Sequence, residues 1–350
     1  MQEEISKIDI ISEDDMSEFE RREGLKSRLM EEEARRRGYE VKRLTFNTTL
    51  ISIQGIDVLF KDMNGPLSSA ALNTVVDDKH VTRTLLKAAG LTVPQSTYLP
   101  ISEQEEIVSF AESIGYPVVL KPNGLARGQG VFMNLSNIVE LKEAISKLEK
   151  IVDDKQASVH VEKHFMGEDF RYVVVDGKVI ATSQRARANV VGDGSHTVLE
   201  LIESKNKERL KDRDLKNFLI PTDIEKLTRL SREGRSLDTV PERDEKVILR
   251  DESNISSGGE GIDFTETVHP EFEKLALRAV KAIPGLNYAG VDMILEDITE
   301  APTPENHVVT EVEFSPGPVS MFPWRGEVRD MPGPILDFYE RNLDRLRLDQ

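Results

Sequence analysis

Three segments of the chain combine residue types and spacings that can do chemistry. The first is KPNGLARGQGV, Lys121 to Val131, which lies between two apolar runs. Gly124, Gly128 and Gly130 let the backbone turn tightly and present amides to phosphate oxygens, and Lys121 adds a fixed positive charge. No GK[ST] follows, and VFMNL after Gly130 reads as a strand, so this is neither a P-loop nor a dinucleotide fingerprint. A plain hairpin with a surface lysine is the competing reading. The second segment is the strand pair AGVDMIL, with Asp292, and VVTEVEF, with Glu311 and Glu313. Two glutamates two residues apart on a strand point to one face, and like charges amid apolar neighbours call for cations. Oxygen ligands at this density suit Mg²⁺ better than zinc or iron, although a solvent-facing edge strand would carry the same pair harmlessly. The third is LRDESNISSGGEGID, where Arg250, Asn254, Ser256, Gly258 and Gly259 share a Ser-rich loop. Amides freed by the glycines, with Arg250, suit an oxyanion or carboxylate; an ordinary surface loop is the alternative.

Other chemistries drop out. The sequence has no cysteine, which removes disulfides, thiolate catalysis and thiolate zinc sites. His160, His164, His196 and His269 lack metal-ligand spacing, and His269 reads as a helix start ahead of Pro270. The formal charge of −17, from 63 acidic and 46 basic residues, argues against nucleic acid or an anionic membrane as partner. An anionic small substrate is still compatible if basic residues converge in one cleft. The acidic start has no signal-peptide core, and no run of about 18 apolar residues occurs, so a soluble cytoplasmic protein is expected.

The elements that must position these residues read as an α/β chain. Met16 to Arg37 is rich in Glu, Arg and Leu and stops at Gly38, as a surface helix would. YEVKRLTF, TTLISI and IDVLFK read as strands, and a further helix starts near Asp78. Ser102 with Glu105 suggests a capping box for a helix stopped by Gly115 and Pro117. PVVLKP, VFMNL and SVHVEKHF then read as strands, with a helix from about Asn137 to Lys150. Strands FRYVVV, KVIATSQ, EKVILR, YAGVDMIL and HVVTEVEF follow, with a helix from Pro270 that aligns Phe272, Leu275, Ala276, Ala279, Val280 and Ile283.

The three segments occur in the chain order of the ATP-grasp superfamily. From VVDDKHVTRTLLKAAGLTVP through YPVVLKPNGLARGQGV, VEKHFMGEDFRYVVVDGKVIA, RARANVVGDGSHTVLELI, ILRDESNISSGGEGIDFTETVHPE and YAGVDMI to TEVEFSPG, the chain resembles the ATP-grasp portion of cyanophycin synthetases and bifunctional glutathione synthetases. The resemblance covers roughly residues 74 to 340. It implies an ATP-grasp fold with a pre-ATP-grasp lobe over 1–90, a central lobe with a Gly-rich lid over 91–168, and a C-terminal lobe over 169–350.

The same resemblance implies that Lys79, in DDKHVTR, and Lys121 reach the ATP phosphates, with the loop through Gly128 and Gly130 closing over them. Glu162, Lys163 and Phe165 match the linker that meets adenine, and Asp169 the acidic position near the ribose. Asp292 and Glu311 match metal ligands, while Glu313 stands where most relatives carry asparagine. Arg171, Arg185 and Arg250 match basic positions facing the acceptor or acyl phosphate, and Asn254, Ser256, Gly258 and Gly259 the loop shaping that pocket. Arg325, beside Trp324, borders the substrate. The implied activity is an ATP-dependent carboxylate–amine ligase using one or two Mg²⁺, or Mn²⁺ in their place. Its substrates would be amino acids or short peptides, and a homodimer is common among similar enzymes. A nucleotide-binding regulatory protein without ligase activity, and a phosphotransferase, are the alternatives.

Overall fold

The computed structural model describes residues 11–12, 16–123, 130–152 and 157–347. Where the sequence suggests one helix from Met16 to Arg37, the structure has two, α1 (Glu18–Glu23) and α2 (Leu25–Arg36). The break falls at Gly24, where the backbone passes so close to the Phe46 carbonyl that a Cβ would collide with it. Ser17 and Glu20 form a capping box on α1. Strands β1 (Glu40–Thr45), β2 (Thr48–Ile53) and β3 (Ile56–Lys61) form an antiparallel sheet in that order. Helices α3 (Ala70–Asp77) and α4 (Lys79–Ala88) follow. Asp78 caps α4 by accepting from the amides of His80 and Val81, and so fixes where Lys79 stands.

Strand β4 (Ser96–Pro100), helix α5 (Gln104–Ile114), strands β5 (Val118–Pro122) and β6 (Phe132–Leu135), helix α6 (Ile138–Val152) and strand β7 (Ser158–Lys163) build a second unit. Its sheet order is β4-β7-β5-β6, with its own core of Ile107, Leu120, Leu141, Ile145, Leu148 and Val161. The expected capping box at Ser102 does not form. The amide of Glu103 donates to the Pro100 carbonyl at 3.0 Å, and this tight turn delays the helix to Gln104.

The third unit opens with β8 (Glu168–Val175), β9 (Lys178–Ala186) and β10 (Asn189–Val191), then α7 (Val198–Arg209) and α8 (Thr228–Arg232). Strands β11 (Lys246–Ile248) and β12 (Glu260–Asp263), helix α9 (Pro270–Lys281), and strands β13 (Tyr288–Leu295) and β14 (His307–Glu313) come next. Helices α10 (Pro332–Arg341) and α11 (Leu343–Arg347) end the described chain. A five-stranded antiparallel sheet, β12-β9-β8-β13-β14, carries the site. Strand alternation divides its residues. Phe170, Tyr172 and Val174 of β8, with Ala289, Val291 and Met293 of β13, face α9 and bury Phe272, Ala276 and Val280. A fully buried phenylalanine or valine of this kind contributes about 1.5–3 kcal/mol. Val173, Val175 and Tyr288 point the other way and pack with α2, β2, β3 and α10. That opposite face is where Arg171 and Asp292 emerge. Val76 and Leu86, from residues assigned to the first lobe by sequence, join the α9 side of this core. No helix among the described residues is long and apolar enough to cross a membrane.

Candidate active site

The register of the large sheet sets the first half of the site. Asp292 lies opposite Arg171 of β8 on one side and opposite Glu311 of β14 on the other. Arg171 grips Asp292 with two bonds, Nε–Oδ1 at 2.8 Å and Nη2–Oδ2 at 2.9 Å, and also reaches Glu313. Arg185, from β9, contacts Asp292 at 2.7 Å and Asp169 at 2.8 Å. Burial alone would raise Asp292, but the two guanidinium groups outweigh it and hold the carboxyl below its usual range. Glu313 moves the other way. Recession into the cleft raises it, Arg171 opposes that, and the charges of Asp292 and Glu311 reinforce it. Its side chain nevertheless keeps 38% of its surface open.

The front half supplies cations. Lys79, at the first turn of α4, meets Glu311 at 3.0 Å. Lys121, near the end of β5, meets Glu162 of β7 at 3.0 Å, and Arg83, one helical turn after Lys79, meets the same Glu162. Glu162 therefore faces the lysine and arginine with its side chain, whereas the resemblance implies mainly backbone contact with adenine. Those cations overcome burial and bring Glu162 down to about 2. Burial, aided by Arg83, lowers Lys121 against the pull of Glu162. His160 beside them is pressed down to about 3 by burial and by Arg83 and Lys121. It is neutral near pH 7, so it takes no charge from the cluster.

Five carboxylates, Glu162, Asp169, Asp292, Glu311 and Glu313, thus face five cations, Lys79, Arg83, Lys121, Arg171 and Arg185. The network is balanced as it stands. A bound triphosphate would unbalance it, and divalent cations restore the balance.

The remaining predicted residues divide. Ser253 donates to Asp169 and ties the Ser-rich loop to the sheet. The expectation that the Gly258 and Gly259 amides are free is corrected: they donate to Ile255 O at 3.0 Å and Asn254 O at 3.2 Å. The loop closes into a short 3-10 turn whose own carbonyls consume them. Arg250 is paired with Glu252 at Nε–Oε1 2.7 Å, and Ser256 is exposed. Gly130 has φ +69°, and a Cβ there would stand 2.8 Å from Leu148, so glycine is required. Gly128 lies outside the described residues. Lys163 donates through Nζ to the carbonyls of Gly115 and Tyr116, both at 2.9 Å, and its amide donates to Gln95. Phe165 is half-buried just past β7. Arg325 is exposed, bridging by backbone to Ile262.

Two residues escaped the sequence reading. Arg83 is one, and Arg209 the other: it is 1% exposed, and its guanidinium holds the carbonyls of Phe218 and of Gly258, the latter at 2.9 Å. It also faces Trp324 at 5.5 Å, as does Lys205. Both arginines lie four residues after a lysine on one helix, Lys79 and Lys205, and that spacing is the signal that could have found them.

Among the described residues no three acidic or histidine side chains stand ready to hold a metal ion. The donor chemistry still fits Mg²⁺. Asp292, Glu311 and Glu313 offer oxygens from adjoining strands, and their mutual repulsion, which adds to the effect of burial in raising Glu313, is what a divalent cation relieves.

This α/β architecture is the ATP-grasp fold. Residues 77–198 match the phosphoribosylglycinamide synthetase ATP-grasp (A) domain. A cyanophycin synthetase of Synechocystis is 36% identical over 265 residues, which are 74% of this chain and 30% of that protein. The glutathione biosynthesis bifunctional protein of Clostridium perfringens is 31% identical over 267 residues, 75% of this chain and 34% of its own length. The chain therefore spans about a third of the curated relatives it matches. The crystal structure of a bifunctional glutathione synthetase from Pasteurella multocida superposes with a TM-score of 0.66 at 27% identity, covering 90% of this chain and 44% of that one.

Proposed function

We propose that this chain is an ATP-dependent carboxylate–amine ligase that joins an amino acid or short peptide to an amine through an acyl phosphate, releasing ADP and phosphate. The observation that carries the reading is the meeting of Lys79 with Glu311, beside Lys121–Glu162 and Arg171–Asp292, around one cleft. Lys79 and Lys121 would neutralise the triphosphate and hold its terminal group in line with a substrate carboxylate. Asp292, Glu311 and Glu313 are the residues that would hold Mg²⁺, which when bound neutralises phosphate charge. The carboxylate oxygen bonds to the terminal phosphorus as the bridge to ADP breaks. The amine then attacks the acyl carbon, loses a proton, and phosphate departs. Arg171 and Arg185 would face the charge that develops on the carbonyl oxygen. The central unit is proposed as the lid that keeps water from the acyl phosphate; residues 124–129 of the Gly-rich segment lie outside the described residues. The catalytic site needs no nucleic acid or membrane; whether two copies associate is read by sedimentation.

The test is ADP release over pairs of amino acids and short peptides, with mass detection of the adduct. ADP that rises only when a carboxylate and an amine are both present, with an amide product, supports the ligase. ADP release independent of any amine, or none with any pair, counts against it.

A further inference from the structure

A cleft outside the charge network has no part in the reaction described. Two adjoining cavities of about 330 and 440 Å³ lie between α1–α2 and residues 210–219, and both are bordered by Glu18, Lys216, Asn217 and Leu219. Each is within the range of about 300–1,000 Å³ typical of ligand sites. The farther cavity is lined by Arg21, Arg28 and Arg213; the nearer one by Phe19 and Arg22, and it reaches Ser256. Ser256 sits in the same loop as Ser253, which bonds Asp169, so this cleft adjoins the loop that is tied to the sheet bearing the proposed site. The helical wall is fixed, since Leu25, Leu29 and Met30 share a core with Ile255, Val319 and Phe322.

Charge distinguishes the cleft from an accidental groove. Arg28 is engaged by Glu32 at 2.9 Å and by Asp214, and Arg213 reaches the same Glu32 at 2.8 Å. Arg22 meets its neighbour Glu23 at 3.2 Å and lies over the Phe19 ring at 6.0 Å. Arg21 and Lys216 are exposed and have no carboxylate partner among the described residues. In a chain of net charge −17, two exposed cations on facing walls without a carboxylate partner among the described residues contribute little to folding. Between them the walls expose Phe19, Leu210 and Leu219, apolar surface of the kind that marks a contact.

We propose that this cleft is a subsite for the distal part of an extended substrate: an oligopeptide whose reacting end passes Ser256 and whose side-chain carboxylates meet Lys216, Arg22 and Arg21 in turn. What happens at the reacting end rests on the ligase reading; the binding itself does not. Glu18 and Asp214 on the same walls disfavour an unbroken run of phosphates and suit carboxylates spaced along a peptide with apolar stretches between them.

The test is fluorescence anisotropy on the whole chain without ATP, using labelled hexaglutamate, hexaglutamine and hexathymidylate. Hexaglutamate should bind, with affinity falling as salt rises. The double variant R21Q/K216Q, checked for an unchanged Tm, should bind it about tenfold more weakly, as expected for two exposed ion pairs lost. Equal binding of hexaglutamine, equal or tighter binding of hexathymidylate, or wild-type affinity in the double variant would each overturn the proposal. Because no turnover is read, failure of the ligase reading leaves this outcome intact, and the reverse holds as well.

Discussion

Lys79 Nζ and Glu311 Oε1 stand 3.0 Å apart, so the first turn of α4 is tied to the edge strand of the large sheet by one ion pair. The pair makes the proposed phosphate lysine and the proposed metal carboxylate each other's partner. Binding of Mg·ATP must separate them. Lys79→Ala and Glu311→Gln should each lower amine-dependent kcat/KM by about 10²-fold, in line with loss of one electrostatic contact to the transferring group. The double variant should lose less than the product of the two, because each single change also strands the other partner. Strict additivity in the kinetics would argue that the two act at separate places.

Arg171 occupies Asp292 bidentately and reaches Glu313 as well, so it fills the space between the proposed metal ligands. Arg171→Met leaves two carboxylates facing each other in a recessed site, a change that costs about 3–5 kcal/mol where the remaining charge is fully buried and less where water reaches it. Added Mg²⁺ should then stabilise the variant more than the wild type, since one of the two guanidinium groups that compete for Asp292 is gone and Arg185 alone remains. The measurement is Tm with and without MgCl₂, in the absence of nucleotide. An identical Mg²⁺ response in both proteins would count against these carboxylates as the metal site.

Much of this arrangement was legible in the residues. The strand YAGVDMIL occupies Tyr288–Leu295, and the Glu-x-Glu pair does face cations, because alternation on a strand fixes which side chains share a face. What local pattern could not supply was the identity of those cations. Arg171 and Arg185 reach Asp292 only through sheet register, and Arg83 finds Glu162 only when α4 docks near β7. Nor could glycine content alone predict that the Gly258 and Gly259 amides are consumed inside their own turn. Glycines license a tight turn, and the tight turn then decides where its amides point.

Acid should destabilise the protein through the buried cluster at β5 and β7. His160 is held neutral down to about pH 3, so below its ordinary value of 6.5 the unfolded chain binds a proton the folded one refuses. Its contribution is fully present above pH 6.5 and lost as pH falls toward 3; the linkage is worth roughly 3–5 kcal/mol at most. Glu162, brought down to about 2 from 4.5, is depressed too, so its contribution is present above 4.5 and lost as pH falls toward 2. His160→Gln should therefore flatten the stability curve between pH 6.5 and 4.5 and make the fall below pH 4.5 shallower, with the Glu162 contribution remaining there. Denaturant unfolding across that range is the check, and an unchanged slope above pH 4.5 would show that His160 is not the group responsible.

The loop beside the acceptor side is held from behind, and this makes Gly258 the most sensitive position in it. Gly258 has φ +94°, and a Cβ would stand 2.8 Å from Ile220 Cα, a backbone atom that cannot swing aside. Ile220 is itself pinned by Asn206, whose side chain donates to its carbonyl at 2.8 Å and accepts from its amide at 2.9 Å, one helical turn before Arg209 grips the Gly258 carbonyl. Gly177 is the natural control, with φ +72° and nothing within 4 Å of its would-be Cβ. Gly177→Ala should cost about 1–2 kcal/mol, the left-handed penalty alone. Gly258→Ala should cost a further 1–3 kcal/mol or so for overpacking. If the loop shapes the proposed acceptor pocket, the folded fraction of Gly258→Ala should show depressed kcat with an unchanged KM for ATP. A raised KM for ATP at normal kcat would move the loop to the nucleotide side and reverse that assignment.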